Sequence, residues 1–539
     1  MTTGNNAKTT TMGEYPKVFM RSITFNDGTI LSLEPGSIVV FTGANNSGKS
    51  QVLCDMENCC DERMKKLSVV IKNIEYRYCG EIDDSFLDEN FFVNEYGYLQ
   101  PYGSTNYTEK ESLIHYWRER RLSDVLRQLF VKRISTEMRL AVSNDLKRND
   151  SFAAAHPIYK LTSSEHLAEA ISKYFRQAFN EDLVVNQSEL QTIPLHVGTA
   201  PDKTKYTINM QDKYNQIVAA LPKLQDQGDG MRSFASILLD TFTSEFSITL
   251  IDEPEAFLHP PQARILGKML AQNNPENRQL IISTHSEDFL QGLLDADNEN
   301  VTIVRINRLD DVNHMSILAS SEIKRLWTNP LLRYSNILSG LFHEKVIVCE
   351  SDYDCLFYQA VMNAIYESRD EAAPDVLFTH CGGKSRAKDV VRALKAVNVP
   401  VVAICDFDLL DASQYFRPLI EAFGVKWEVV CDNGMKTIYD SINARRSDGN
   451  DVWKELKRTG KTGLLGAEPA AYETVEAICR DAGLYIVPCG EMECFDRTID
   501  KEKKDWVYHV LENYDLAVEP KMDDARFFVQ SAIGFNPTA

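Results

Sequence analysis

The chain lacks any apolar run approaching the roughly 20 residues that span a bilayer, and its start, MTTGNNAKTTTM, has no apolar signal core. Neither a membrane protein nor a secreted one is expected, and the cytosol is the default address. No C-x-x-C pair occurs among its 12 cysteines. Cys54, Cys59 and Cys60 cluster without a histidine partner, which speaks for reduced thiols packed as small apolar residues rather than for zinc. Gly (26) and Pro (19) are not in excess, so collagen-like and low-complexity classes are excluded. Positive charge is in short supply: 58 Lys plus Arg stand against 78 Asp plus Glu, for a net charge of −20. That balance argues against a broad surface coating nucleic acid. It leaves room for a narrow site in which metal ions offset both protein carboxylates and substrate phosphates.

What the chain has is length, 539 residues, and 44% hydrophobic content, enough to build two or three cored domains. The polar first ten residues have nothing to bury. Turn signals FNDG (25–28) and EPG (34–36) punctuate short apolar runs, as hairpin-like strands do, and SIVVF (37–41) reads as a buried strand. From about 110 to 180 the spacing of Leu122, Val125, Leu126, Leu129 and Phe130 predicts helix, and an inserted helical region is expected over about 85–200. SITLID (247–252) and QLIIST (279–284) are two more buried strands, with a helix between them from Pro261 to Gln272. After NPLLRYSN (329–336) a second alternating series follows: KVIVCE (345–350), DVLFTHC (375–381), VPVVAICDFD (399–408), KWEVV (426–430) and LYIVPC (484–489). Strands alternating with helices imply parallel sheets, hence two α/β domains, 1–338 and 339–539, with a boundary near 335–342.

GANNSGKS (43–50) satisfies G-x-x-x-x-G-K-S between a strand and a helix. Its glycines let successive N–H groups face phosphate oxygens at a helix N-terminus. Lys49 is placed to reach the β- and γ-phosphates and Ser50 to ligate Mg²⁺. The cofactor-binding set is Gly43, Asn45, Asn46, Ser47, Gly48, Lys49, Ser50 and Gln51, joined by Asp252. Asp252 ends a buried strand and belongs in the Mg²⁺ shell; Glu253 is the candidate acceptor of a proton from the attacking water. His285 follows the next strand. The order of phosphate loop, DE strand and STHS strand resembles ATP-binding-cassette ATPases, which implies a γ-phosphate contact for His285. QGDGMRSF (227–234) is similar to a diverged cassette signature, a likeness that implies Gly230 as a further member of the cofactor-binding set. In that superfamily the signature of one subunit completes the site of another. A homodimer or higher homo-oligomer sandwiching ATP is thereby implied.

In the second half, Glu350, Asp352 and Asp354 follow one strand and Asp406 and Asp408 another. Acidic residues at the carboxyl ends of parallel strands converge on one sheet edge. Crowded carboxylates repel unless they share cations, and all-oxygen ligands suit Mg²⁺ or Mn²⁺. This constellation resembles the TOPRIM domain, with the usual E-G-x-x-D written here as Glu350-Ser351-Asp352-Tyr353-Asp354 and with HCGGK (380–384) as its glycine-bearing loop. An ABC-type P-loop ATPase domain followed by a TOPRIM α/β domain with a helical carboxyl-terminal part is similar to the overcoming-lysogenisation-defect (OLD) family of nucleases, which includes Gabija and OLD-type retron effectors. VPCGEMECF (487–495) is similar to that family's glycine-Glu-Leu-Glu segment. The resemblance adds Glu493 as a metal ligand, with Glu491 beside it, and implies a lysine at the scissile phosphate. Among Lys501, Lys503, Lys504 and Lys521, spacing leans to Lys521.

The expected chemistry is two-metal phosphodiester hydrolysis, with ions about 4 Å apart held by Glu350, Asp406, Asp408 and Glu493 while Asp354 ligates or orients. DNA is expected to meet local basic strips, Lys384, Arg386 and Lys388, and Arg445, Arg446, Lys454, Lys457, Arg458 and Lys461. The resemblance implies an ATP-gated DNA endonuclease or nickase of antiphage defence, and a helicase, or a retron reverse transcriptase with its DNA, as a possible partner. Two rivals stand beside it: a repair or structural ATPase whose second domain only binds DNA, and a scaffold or sensor held together by ATP.

Overall fold

The computed structural model describes residues 15–60, 65–148, 156–206, 210–309, 312–319, 324, 338–411, 413–445 and 451–535. The polar first ten residues, NPLLRYSN (329–336), residues 335–337 of the expected boundary and Arg446 lie outside them. The chain folds as two compact units, Met1–Ser321 and Glu322–Ala539.

In the first unit a six-stranded sheet runs in the order Val312–Ala319, Val301–Leu309, Ile38–Thr42, Gln279–Ser283, Ile248–Asp252, Val131–Ile134. All neighbours are parallel except the hairpin of Val301–Leu309 with Val312–Ala319. Ile38–Thr42 and Gln279–Ser283 are buried at every residue, as strands of a sheet covered on both faces must be. Lys49–Asn58 and Pro260–Gln272 are helices as expected. The turn at 25–28 joins the antiparallel strands Lys17–Phe25 and Ile30–Ser32.

Among its described residues the region expected to be a helical insertion does hold six α-helices, from Asp84–Asn90 to Glu165–Phe179. It also holds strand pairs, and Val131–Ile134 within it joins the main sheet beside Ile248–Asp252. Phe130 ends a helix and Val131 begins that strand without a break. The apolar run is therefore continuous across the change from period 3.6 to period 2, which is why spacing alone extends the helix too far.

The second unit has a four-stranded, all-parallel sheet in the order Val376–His380, Lys345–Cys349, Val401–Cys405, Leu484–Ile486. Its core packs Phe357, Tyr358 and Val361 of helix Asp352–Glu367 with Ile347, Val402, Tyr485, Trp506 and Phe528. KWEVV, read as a strand, is instead a helical turn, Trp427–Val430. Over so few residues one buried and one exposed valine fit either period. The tertiary contact decides, with Trp427 edge-on to Phe416 at 5.4 Å between ring centres. All 12 cysteines are free, and Cys60 is buried. Among the described residues no helix is long and apolar enough to cross a membrane.

Candidate nucleotide site and metal centre

Strand Ile38–Thr42 delivers the chain into the glycine-rich loop, and Gly48, at φ 101°, caps helix Lys49–Asn58. Gly43 is required twice over: its φ is 149°, and a Cβ there would lie 2.3 Å from the Ile306 carbonyl oxygen. Lys49 is buried, and its Nζ donates to the carbonyls of Gly43 (2.9 Å) and Ala44 (2.8 Å), arching the loop around the ammonium. Asn45 and Asn46 are exposed and Ser47 is buried. The Gln51 amide donates to Asp55, which also accepts the N–H groups of Val69, Val70 and Ile71, so the structure gives Gln51 a loop-anchoring contact.

Asp252 Oδ1 accepts from Ser50 Oγ (2.9 Å) and Ser283 Oγ (2.5 Å). The phosphate-loop hydroxyl and the strand-end carboxylate, 202 residues apart in sequence, are thus brought together. Arg133 reaches the other oxygen of Asp252 at 3.7 Å. Glu253 has φ 46°, left-handed backbone that costs a non-glycine residue about 1–3 kcal/mol. Its carboxylate lies 3.4 Å from His285 Nδ1, and Glu255 lies 3.3 Å from the same nitrogen. The hydrogen bond to His285 holds Glu253 below the usual carboxylate range, and the same bond raises His285. Burial pushes Glu255 up. Gly230 is the second residue of helix Asp229–Thr243, and a Cβ there would lie 2.7 Å from the Phe257 carbonyl oxygen. Sequence reasoning missed Arg133, Arg139, Ser283 and Glu255. The second acid of D-E-P-E was the available signal for Glu255; for the arginines none existed.

In the second unit the strands Lys345–Cys349 and Val401–Cys405 are neighbours, so the acids that follow them meet. Glu350, Asp406 and Asp408 offer carboxylate oxygens within 4.8 Å of one another. Asp406 N–H donates to Glu350 Oε1 at 3.1 Å. The HCGGK loop closes over this edge, with Gly383 N–H on the Glu350 carbonyl at 2.9 Å. The 487–495 loop abuts it, Phe407 N–H donating to Gly490 O at 2.8 Å.

Burial, and then the Asp408 charge, push the Glu350 carboxyl up to about 7. Burial and Glu350 raise Asp406 well above the usual range. Asp408 Oδ1 is buried and has no hydrogen-bond partner. A buried anionic oxygen without a partner among three crowded carboxylates is what a hard divalent cation fits. Sequence reasoning placed Lys384 and Lys457 on DNA-facing strips; in the structure Lys384 Nζ is 2.9 Å from Asp408, and Lys457 Nζ is 3.6 Å from Asp408 and 3.2 Å from Glu491. Arg445 is likewise paired, with Glu468 at 2.6 Å.

The remaining acids have hydrogen-bond partners of their own, though the Asp354 charge still raises Glu350 and Asp406. Asp354 caps helix Asp352–Glu367 in a reciprocal box with Ser351, and Glu493 accepts the Lys503 N–H at 2.6 Å. Lys521 Nζ donates to Thr498 Oγ1 (2.7 Å) and pairs with Asp496 (3.2 Å). Burial alone would raise Asp496, but the bonds from Thr498, Tyr514 and Lys521 outweigh it and hold it at about 2.

With this geometry in view, residues 38–290 match a family described as "AAA domain, putative AbiEii toxin, Type IV TA system". Residues 341–408 match "Overcoming lysogenization defect protein-like, TOPRIM domain". Old nuclease of Escherichia phage P2 is 23% identical over 278 residues, covering 48% of this chain and 45% of that protein. OLD nuclease of Thermus scotoductus is 26% identical over 171 residues, 30% of each chain. The chain thus matches less than half the length of either relative. Among solved structures, the SMC head domain from Thermotoga maritima is similar at 12% identity and a TM-score of 0.30, over 57% of this chain and 99% of that one.

Proposed function

We infer that this chain, an OLD-family protein in which an ATPase domain precedes a TOPRIM domain, hydrolyses ATP and cuts DNA phosphodiesters with divalent metal. The observation that carries the reading is the Glu350, Asp406 and Asp408 triad with its unpartnered Asp408 oxygen, in the same chain as a phosphate loop bonded to its strand-end acid.

The division of labour follows from the residues. In the first unit Lys49 and the loop N–H groups bind the phosphates, Ser50 and Asp252 are placed to hold Mg²⁺, and Glu253 accepts the proton of the attacking water. In the second, Glu350, Asp406 and Asp408 would hold Mg²⁺ or Mn²⁺, which supplies an activated water and charge stabilisation of the leaving oxygen. Asp354 and Glu493 orient the edge. Lys384 and Lys457 present ammonium groups to a phosphate at that edge, a role that their distances to Asp408 favour over Lys521. We extend the reading to a homodimer that sandwiches ATP against the Gly228–Gly230 segment, to gating of the nuclease by that dimer, and to defence against phage.

The test is plasmid cleavage with Mg²⁺ or Mn²⁺, with and without ATP, by wild type and by Glu350→Gln. Nicking or linearisation lost in the variant, with ATP turnover kept, supports the reading. Cleavage retained by Glu350→Gln removes the triad from the reaction.

A further inference from the structure

A buried cation outside both assigned sites stands against the ATPase acids. We propose that Arg139 is a positioning residue that fixes the backbone turn carrying Glu253 and, through its own helix, ties that carboxylate to the Gly228–Gly230 segment. The proposal rests on the reading of Glu253 as the base in ATP hydrolysis.

Arg139 lies on helix Thr136–Val142 and is 0% exposed. Its Nη1 donates to the Glu253 carbonyl at 2.9 Å, its Nη2 to Thr136 Oγ1 at 2.9 Å, and its Nε has no partner. Among the described residues no carboxylate oxygen is bonded to this guanidinium, and its charge is answered by the field of Glu255, Asp252 and Glu253. Burying an arginine on such terms is costly, and a methionine would fill similar space without that cost. What the arginine adds is its grip on one carbonyl.

That carbonyl belongs to the residue with φ 46°. Its peptide is held on both sides: Glu253 N–H donates to Ser283 O (2.9 Å), and Glu253 O also accepts Ala256 N–H (3.0 Å). Relaxation to ordinary backbone would swing the Cβ and carry the carboxylate away from His285. The far end of the Arg139 helix is tied as well. Arg232, on the helix that Gly228 caps, donates to Leu140 O at 2.9 Å and to Ser143 Oγ at 3.2 Å. Gly230 lies against the carbonyl of Phe257, and Ser233 Oγ donates to Ala256 O at 3.4 Å. A group docking on Gly228–Gly230 therefore acts on the 253–257 turn through short, packed links.

The experiment measures ATP turnover and the affinity for a fluorescent ATP analogue in full-length Arg139→Met, Glu253→Gln and the double variant. Misplacing a base by about an ångström predicts a loss of roughly 30- to 100-fold in kcat for Arg139→Met, with affinity within threefold of wild type and no further loss in the Glu253→Gln background. Arg139→Lys, which can still donate to the carbonyl, should recover part of the loss. Should Arg139→Met fail to fold, Arg232→Ala carries the test, with a several-fold fall in kcat that vanishes in the Glu253→Gln background. An additive loss, or affinity falling in parallel with kcat, overturns the proposal. Glu253→Gln with wild-type turnover overturns the base assignment itself; a dead Glu253→Gln beside unimpaired Arg139→Met and Arg232→Ala overturns the positioning role alone.

Discussion

Replacing Glu350 by Gln should make the metal-free protein more stable, although it removes a charged group from the expected active site. The glutamine keeps an oxygen to accept the Asp406 N–H that Glu350 accepts at 3.1 Å, while the charge that Asp406 and Asp408 oppose disappears. The Glu350 carboxyl is pushed from 4.5 up to about 7 by burial and by Asp408. At about 1.4 kcal/mol for each pH unit, this is a ceiling of about 3 kcal/mol at high pH. Because the folded chain holds that proton more tightly than the unfolded chain, wild type loses stability relative to the variant as pH rises from about 4.5 through about 7. The gap is widest above the upper value and closes in acid. In EDTA at pH 8 the variant should gain about 1–3 kcal/mol, with melting temperature moving roughly 2–4 °C per kcal/mol for a unit of this size. Thermal melts from pH 5 to pH 8 check this. Adding Mg²⁺ or Mn²⁺ should raise the wild-type transition and leave the variant near its metal-free value. A variant no more stable than wild type at pH 8, or a gap independent of pH, refutes the charge-crowding argument.

The metal's stabilising effect on wild type should itself be larger at pH 8 than at pH 5.5, because protons and cations compete for the same raised carboxylates; isothermal titration at the two pH values measures it. Lys49→Ala should cut ATP turnover at least about 100-fold, read by phosphate release, since the proposed function gives the ammonium the β- and γ-phosphates to hold. Gly490→Ala places a Cβ 2.2 Å from the Lys457 carbonyl and should abolish DNA cleavage while ATP turnover persists, a split that paired assays of one preparation reveal. The Glu253 bond that raises His285 contributes stability below the ordinary histidine value and loses it as pH rises through the raised one. The melting-temperature advantage of wild type over His285→Gln should accordingly shrink from pH 6 to pH 9.

The parts legible in sequence are those in which a short motif dictates its own backbone. Gly43 through Ser50 can be read because only glycine tolerates the approach to Ile306, and Asp252 because an acid ending an apolar strand has one place to go. Glu350 and Asp406 followed from the rule that parallel strands end on one edge. Pairings that depend on which distant groups happen to meet were not legible. Lys384 and Lys457 read as members of DNA-facing basic strips until the fold set both beside Asp408, and Lys521 is drawn to Asp496 by partners on a separate loop. Trp427–Val430 failed for another reason: a few residues of mixed pattern suit strand and helix alike, and only Phe416 tips the balance.

The two ammonium groups beside Asp408 both sit on its Oδ2, while its Oδ1 has no partner. A divalent ion held at Oδ1 would share the carboxylate with lysines that already serve its other oxygen, and would face their repulsion while they stay. Each lysine that lets go is a positive charge newly free, within a few ångströms, for the phosphate that comes with the ion. Metal without polyanion leaves those ammonium groups stranded, and polyanion without metal leaves the carboxylates exposed to it. The arrangement therefore favours the joint arrival of both, a form of restraint that would suit the proposed nuclease.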